Sequence, residues 1–148
     1  MSKQEEAGLI LKLYELRREE TMRIARDWYF REFNPESLAD VNNLMFSEHS
    51  GHMRMVLSYW EMAAALVNNG AISVELFCDT NGEHIGVFAT IEPLIGEIRA
   101  AYGPQFCVQF EKLIDTMPDG RARVAKTREQ MKAIRAQLAA RQAAAAGA

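Results

Sequence analysis

Residues 52–69 read HMRMVLSYWEMAAALVNN, and no other segment indicates a class of fold as clearly. Apolar residues recur here at steps of three and four, which places them on one face of an α-helix. The residues on that face are Met53, Val56, Leu57, Trp60, Ala63, Ala64 and Val67. A narrow polar strip with the same spacing comprises Arg54, Ser58, Glu61, Ala65 and Asn68. Because Gly70 follows in the position where glycine commonly ends a helix, we predict a long amphipathic helix over this segment.

Helical spacing also marks the flanking segments, so the fold is predicted to be an all-α bundle of about five to seven helices. One long helix, or two in line, is expected over residues 4–32, because the residue before Pro35 avoids the α-helical conformation. Asn34 and Pro35 are then expected to begin a second, shorter helix. Pro93 predicts a kink or a junction within a helix over residues 85–102.

The segment over residues 71–91 has two interpretations. In the first, Ser73 caps a short helix, and a turn separates that helix from the next one. In the second, Asn81 and Gly82 form a type I′ turn between two paired strands. The helical interpretation is favoured, because neither flank alternates between polar and apolar residues and Gly86 interrupts the returning strand.

The composition is that of an ordinary globular protein. The chain has 148 residues, of which 49% are hydrophobic and 25% are charged, so a single domain with a substantial core is expected. The N-terminus does not resemble a secretory signal, and no run of about 18 uncharged apolar residues is present to span a membrane. Cys78 and Cys107 are far apart and outside any CxxC pattern, so neither a disulfide framework nor a thiolate zinc site is expected. We therefore expect a cytoplasmic protein without a transmembrane segment.

The charge is distributed unevenly along the chain. Residues 1–118 contain 10 Lys and Arg against 18 Asp and Glu, a net charge of −8, whereas residues 119–148 contain 7 against 2, a net charge of +5. This difference predicts a helical bundle domain over residues 1–118 and a basic amphipathic helix over residues 119–148. The Ala-rich end of that helix is expected to fray.

The C-terminal helix combines an apolar seam with a basic patch. The apolar seam has the spacing of a coiled coil and consists of Val124, Thr127, Met131, Ile134 and Leu138. The basic patch consists of Arg121, Arg123, Lys126, Arg128, Lys132 and Arg135, and Arg141 lies beyond it. Opposite charges favour docking of this helix on the acidic body or on a second subunit, and a solvated helix is the alternative. Binding to nucleic acid or to a membrane is disfavoured, because the helix has no aromatic residues to stack on bases or to anchor in lipid.

A polar strip beside aromatic residues is the candidate ligand site in the sequence. Glu61 follows Trp60 in a mostly apolar helix, and a carboxylate held in apolar surroundings is able to act as an acid or a base. Arg54 lies on the same strip, and Trp60 and Trp28 are candidates for the walls of a small-molecule site. The simpler interpretation is structural: Glu61 lies on a solvated strip or pairs with a cation such as Arg99.

No metal, cofactor or catalytic nucleophile is predicted. Glu48, His49 and His52 lie close together, and a metal site would also need Glu83 and His84 to approach them. However, the Glu-x-x-His spacing of di-metal helical bundles and the ligand spacings of zinc sites are missing. Gly-x-Ser-x-Gly and the glycine loops that bind phosphate are absent as well. An enzymatic function therefore has no positive support in the sequence.

Five short motifs resemble those of a known family. They are YWEMAA (59–64), NGAI (69–72), ELF (75–77), IEPLI (91–95) and EIR (97–99). Over roughly residues 53–102 the chain is similar to a family of short helical bacterial proteins described as a domain of unknown function. The resemblance implies a helix with an aromatic residue and Glu, a small turn, a short helix, and a helix with Pro and Arg, but no activity, cofactor or catalytic residue. Many members have a membrane segment before this domain, and because none is visible here, a membrane-linked role is not expected.

The sequence does not specify a biochemical function, and three hypotheses follow from it. The first is a non-enzymatic interaction or scaffold protein that self-associates through residues 121–141 or through the long N-terminal helix. The alternative is a small-molecule binder or an enzyme that uses the polar strip around Glu61. Nucleic-acid binding by the basic helix is a weaker alternative, and it requires salt-dependent retention on DNA or RNA.

Overall fold

The protein is all-α in its computed structural model, which describes residues 2–148. The helices are α1 (Lys3–Arg17), α2 (Glu20–Glu32), α3 (Leu38–Met45), α4 (Ser50–Asn68), α5 (Val74–Thr80), α6 (Glu83–Ile91), α7 (Ile95–Tyr102), α8 (Val108–Thr116) and α9 (Gly120–Ala146), and a 3₁₀ turn, Glu92–Leu94, joins α6 to α7. This architecture confirms the all-α prediction and the long basic C-terminal helix. The described residues form more helical segments than the five to seven predicted, because breaks after Arg17 and at the 3₁₀ turn divide longer helices.

Helix α4 supplies the centre of the core and contacts α2 and α8. All seven residues of its predicted apolar face are buried, which confirms the amphipathic pattern. The bulkiest fully buried side chains are Trp60, Tyr29, Phe77, Phe88 and Phe110, which come from α4, α2, α5, α6 and α8. The chain leaves α4 at Gly70, whose φ of 82° is a left-handed conformation that glycine adopts without strain.

Serine side chains cap the N-termini of α1, α3 and α5. In α3 the cap is Ser37, whose hydroxyl accepts a hydrogen bond of 3.2 Å from the amide of Asp40. The start of this helix expected at Asn34 and Pro35 is therefore wrong. These two residues remain in the connection before α3, where the side-chain oxygen of Asn34 accepts a hydrogen bond of 2.7 Å from Arg135.

The segment over residues 71–91 is helical, as the sequence pattern favours. The hydroxyl of Ser73 accepts a hydrogen bond of 3.1 Å from the amide of Leu76 and so begins α5. The backbone amide of Asn81 closes the same helix by donating to the carbonyl of Phe77 at 2.9 Å. The Asn-Gly pair therefore links two helices instead of forming a hairpin turn.

Helix α9 packs back on the body along α6. Val124 is buried in the core, Met131 is partly buried against it, and the helix continues through the Ala-rich segment to Ala146. The joint between α8 and α9 is tight, because a Cβ atom on Gly120 would lie 1.8 Å from the carbonyl oxygen of Ile114. Glycine is thus required where the two helices meet.

Candidate ligand groove and interaction surface

A groove of about 760 Å³ lies between α3, α4, α7 and the loop that leads to α8. Its apolar lining includes Val41, Met45, Met53, Met55, Leu57, Ile98, Phe106 and Cys107. Its polar lining includes Arg54, Ser58, Glu61, Tyr102 and Gln105. A mostly apolar cavity of this size with a few polar groups is typical of a small-molecule site. We refer to it below as the α4 groove.

Glu61 lies in the α4 groove and caps the N-terminus of α8. One carboxylate oxygen accepts a hydrogen bond of 3.1 Å from the amide of Gln109, and the other accepts one of 2.6 Å from the amide of Phe110. These amides belong to the first turn of α8, where backbone N–H groups have no partner within the helix. Cys107, the residue at the cap position, makes no side-chain cap of its own. Glu61 therefore supplies from α4 the cap that α8 lacks, rather than pairing with Arg99.

Arg54 is the cation of the α4 groove, and it is exposed. Its guanidinium donates one long hydrogen bond of 3.4 Å to the carbonyl of Ser50 in the preceding turn of its own helix. None of the ion pairs among residues 2–148 includes Arg54. The groove thus has a positive charge that no carboxylate of the described chain neutralises.

The two tryptophans expected as walls lie in separate aromatic clusters outside the groove lining. Trp28 stacks on His49 with ring centroids 5.3 Å apart, and it is also close to His52. Trp60 is only 1% exposed, and its ring lies 5.6 Å from that of His84. The structure therefore brings Arg54 and Glu61 together in one groove but not Trp28 and Trp60.

Cys107 lines the α4 groove as a thiol rather than as a thiolate. Its backbone adopts the left-handed conformation with φ of 52°, and its side chain is buried. Burial raises the pKa of the Cys107 thiol to about 12, and the nearby carboxylate of Glu61 acts in the same direction. Because the thiolate is the nucleophilic form of cysteine, this residue contributes packing and not reactivity at neutral pH.

The histidines and acids considered as metal ligands do not converge. Among residues 2–148, no group of three or more His, Cys, Asp and Glu side chains lies close enough together to hold a metal ion. His49 and His52 lie beside Trp28, whereas His84 lies in the other aromatic cluster. Glu83 is held by the guanidinium of Arg26 at 2.9 Å.

His84 is fully buried between aromatic rings. Its ring centroid lies 5.0 Å from that of Phe77 and 5.6 Å from that of Trp60, and Nε2 lies 3.2 Å from the sulfur of Met117. Burial lowers the pKa of His84 to about 4, and the positive charge of Arg123 acts in the same direction. The folded protein therefore keeps this imidazole neutral.

Acid is expected to destabilise the protein through His84. The unfolded chain takes up a proton at this position below about pH 6.5, whereas the folded chain does so only near pH 4, so stability is lost as the pH falls between these values. The free energy of unfolding falls by roughly 3–4 kcal/mol at most, at about 1.4 kcal/mol for each pH unit. Denaturant titrations at several pH values should show a shallower pH dependence for His84→Leu than for the wild type, and equal slopes would contradict this assignment.

Sequence reasoning missed an exposed apolar face on α1. Ile10 and Leu13 are buried, whereas Leu11 is 67% exposed and Tyr14 is 48% exposed. Leu16 is exposed as well. The signal was present in the run GLILKLYEL at residues 8–16, which contains more apolar residues than one helix face can bury.

The predicted apolar seam of α9 is divided into two parts. Val124 is buried, and Thr127 and Met131 are half-buried where the helix packs on the body. Ile134 is 57% exposed and Leu138 is 52% exposed. The first part of the seam thus serves intramolecular packing, and the second part faces solvent.

The family described as a domain of unknown function, DUF4760, matches residues 4–117. The chain belongs to this family. The match confirms the resemblance found over residues 53–102 and extends it across α1–α8. No curated protein and no solved structure matches the chain.

Helix α9 follows the DUF4760 region and is attached to it by three arginines spaced seven residues apart. Arg121 contacts three carboxylates, with Nε 2.6 Å from Asp115 and its two terminal nitrogens 2.9 Å from Glu92 and 3.0 Å from Glu111. Arg128 also pairs with Glu92. These contacts join the basic helix to acidic groups of the DUF4760 region.

Two of these arginines also donate hydrogen bonds to backbone carbonyls at the C-terminal ends of two helices. Arg128 donates a hydrogen bond of 2.9 Å to the carbonyl of Ala89 in the last turn of α6, and Arg135 donates one of 3.2 Å to the carbonyl of Phe33 at the end of α2. Cations at such positions satisfy carbonyls that lack helical partners and interact favourably with the helix dipole. Three residues of the predicted basic patch are therefore occupied by the body of the protein.

The rest of the basic residues of α9 remain on the surface. Arg123, Lys126, Lys132 and Arg141 are exposed, and Lys132 lies 3.4 Å from the carboxylate of Glu129 in its own helix. None of the helices among residues 2–148 is both long and apolar enough to cross a membrane.

Proposed function

We propose that this DUF4760 protein is a non-enzymatic interaction protein that self-associates, and that α1 forms the contact between two copies. The observation that carries the proposal is the exposed apolar face centred on Leu11, which is arranged symmetrically along the helix. A surface that meets its own copy about a two-fold axis must be complementary to itself.

The cytoplasm is the proposed location, and the free thiols of Cys78 and Cys107 fit that compartment.

The outer face of α1 is self-complementary in an antiparallel arrangement. Ala7 and Gly8 lie one turn before Leu11, and Tyr14 lies one turn after it, on the same side of the helix. Nothing lies within 4 Å of the position that a Cβ atom on Gly8 would take. When two copies cross at Leu11, Tyr14 of each copy lies over the small residues of the other.

Polar and charged residues near the two ends of α1 favour the same register. The arrangement brings Lys3 of one copy towards Glu19 of the other and Gln4 towards Arg18. All four residues are exposed, which places them at the polar rim of such a contact. Within one copy, the carboxylate of Glu19 also accepts a hydrogen bond of 3.1 Å from the amide of Met22, and the guanidinium of Arg18 lies 5.2 Å from the ring centroid of Tyr14. Electrostatic complementarity of this kind selects an antiparallel over a parallel pairing.

Helix α1 is held firmly enough to present this face as a fixed surface. The hydroxyl of Tyr59 donates a hydrogen bond of 2.6 Å to the carbonyl of Leu13, and Arg17 pairs with Glu83 at 3.3 Å. The carboxylate of Glu6 accepts a hydrogen bond of 2.6 Å from the amide of Ser73. A pre-organised surface loses less conformational entropy when it binds a partner.

The apolar seam of α9 is the competing surface for self-association. Its first half is occupied by the body, which leaves Ile134 and Leu138 as its exposed apolar pair. The neighbouring charged side chains, Lys132 and Arg135, are positive, so two copies of this segment would repel each other. For this reason α1 is the favoured contact.

Light scattering on Leu11→Lys is the experiment that tests the proposal. We expect the wild type to be a dimer and Leu11→Lys to be a monomer, with a dissociation constant raised at least about thirtyfold, because a central apolar contact contributes about 2 kcal/mol or more. The matched control is Leu138→Lys, which places the same charge on the exposed seam of α9 and should remain dimeric. A monomeric wild type, or dissociation of the control alone, would contradict the role of α1.

Gly8→Gln separates association from folding. This substitution should stabilise the monomer by about 0.5 kcal/mol, because glycine is a poor helix former and the site is open. The added side chain occupies the space that Tyr14 of the second copy requires, so the dimer should weaken. If Gly8→Gln raised both the thermal stability and the dimer affinity, this result would argue against the antiparallel packing.

A further inference from the structure

We infer that the α4 groove binds a single-chain amphiphile with a carboxylate head, of the fatty-acid class, and that Arg54 pairs with that carboxylate. This inference is independent of self-association, since α1 does not line the groove. It assigns a ligand class to the cavity and a role to a residue that has no structural partner outside its own helix.

The shape and lining of the groove fit an apolar chain. Three of its lining residues are methionines, Met45, Met53 and Met55, whose flexible thioether side chains adapt to the outline of a ligand. The volume of about 760 Å³ lies within the range of small-molecule sites. Phe46, which follows the lining residue Met45 in the chain, is 90% exposed.

The charges in the groove select the head group. The negative charge of Glu61 is already compensated, because both of its oxygens accept hydrogen bonds from the first turn of α8, where the helix dipole is positive. The positive charge of Arg54 has only the carbonyl of Ser50 at 3.4 Å as a partner. An anionic group therefore gains from entering the groove beside Arg54.

One cation favours a carboxylate over a more highly charged head group. A guanidinium forms two parallel hydrogen bonds with one carboxylate, which matches its charge and its geometry. A phosphate carries more negative charge than Arg54 alone neutralises.

Calorimetric titration with dodecanoate and dodecanol tests the inference, because the two probes share a chain and differ in the head group. We expect both to bind the wild type, with dodecanoate the tighter ligand. Arg54→Gln should weaken dodecanoate about two- to fivefold, as the loss of one exposed ion pair implies, and should leave dodecanol unchanged. Equal affinity of the two probes, or no effect of Arg54→Gln on dodecanoate, would overturn the role of Arg54.

Two methionine variants locate the chain of the ligand. Met55 lines the groove, whereas Met62 is exposed on the same helix outside it, so Met55→Glu and Met62→Glu introduce the same charge at matched sites. Met55→Glu should weaken dodecanol at least about tenfold, because it places a charge against the apolar chain, and Met62→Glu should have no effect. Absence of binding by both probes, or equal effects of the two variants, would overturn the site itself.

Discussion

Replacement of Gly120 by alanine is expected to destabilise the protein by about 3 kcal/mol or more, and to loosen α9 from the body. The added Cβ atom would lie 1.8 Å from the carbonyl oxygen of Ile114 and 2.9 Å from its carbonyl carbon. Both of these are backbone atoms, so the clash is relieved only by moving α8 away from α9. Chemical denaturation should therefore give a lower free energy of unfolding, and proteolysis within α9 should be faster.

Gly96→Ala is the matched control for this substitution. Gly96 lies in α7, is exposed, and has no atom within 4 Å of the position that a Cβ atom would take. Alanine there should stabilise the helix by about 0.5–1 kcal/mol. If Gly120→Ala and Gly96→Ala gave similar free energies of unfolding, the tight joint between α8 and α9 would be wrong.

Local patterns in the sequence were sufficient to predict the helices. The apolar face of α4 follows from steps of three and four within a single segment, and every residue of that face is buried. Ser73 and Gly70 mark helix ends through interactions with residues only a few positions away, so they were also predictable. The helix start predicted at Asn34 and Pro35 is wrong, because Ser37 competes for the start of the same helix and forms the cap.

Contacts between distant residues limited the prediction of the sites. The amides that Glu61 caps lie 48 and 49 residues further along the chain, and no spacing rule relates them. The arginines of α9 repeat every seven residues, but their partners, such as Glu92, become visible only once the helices are packed. The exposed face of α1 depends equally on packing, because the position of α2 and α4 decides which apolar residues of α1 are buried.

Replacement of Glu61 by alanine is expected to cost about 2–4 kcal/mol of stability, because it removes the N-terminal cap of α8 and leaves two backbone amides without partners. The cap is supplied by a carboxylate, and hydrogen bonds to a charged acceptor are stronger than neutral ones. The free energy of unfolding measures this loss directly. Glu32→Ala is the matched control: it removes an exposed carboxylate at the end of α2, and it should change stability by about 0.5 kcal/mol or less.

Glu61→Gln distinguishes a cap from a chemical role in the groove. The amide side chain keeps one acceptor oxygen, so we expect a loss of about half that of alanine, and binding of dodecanoate should survive. A glutamine variant with wild-type stability would contradict the contribution of the charge and of the second oxygen to the cap. Loss of ligand binding in Glu61→Ala alone does not identify Glu61 as a ligand contact, since α8 carries part of the groove wall through the loop before it. Arg54→Gln is the more informative variant, because Arg54 is exposed and supports no other helix.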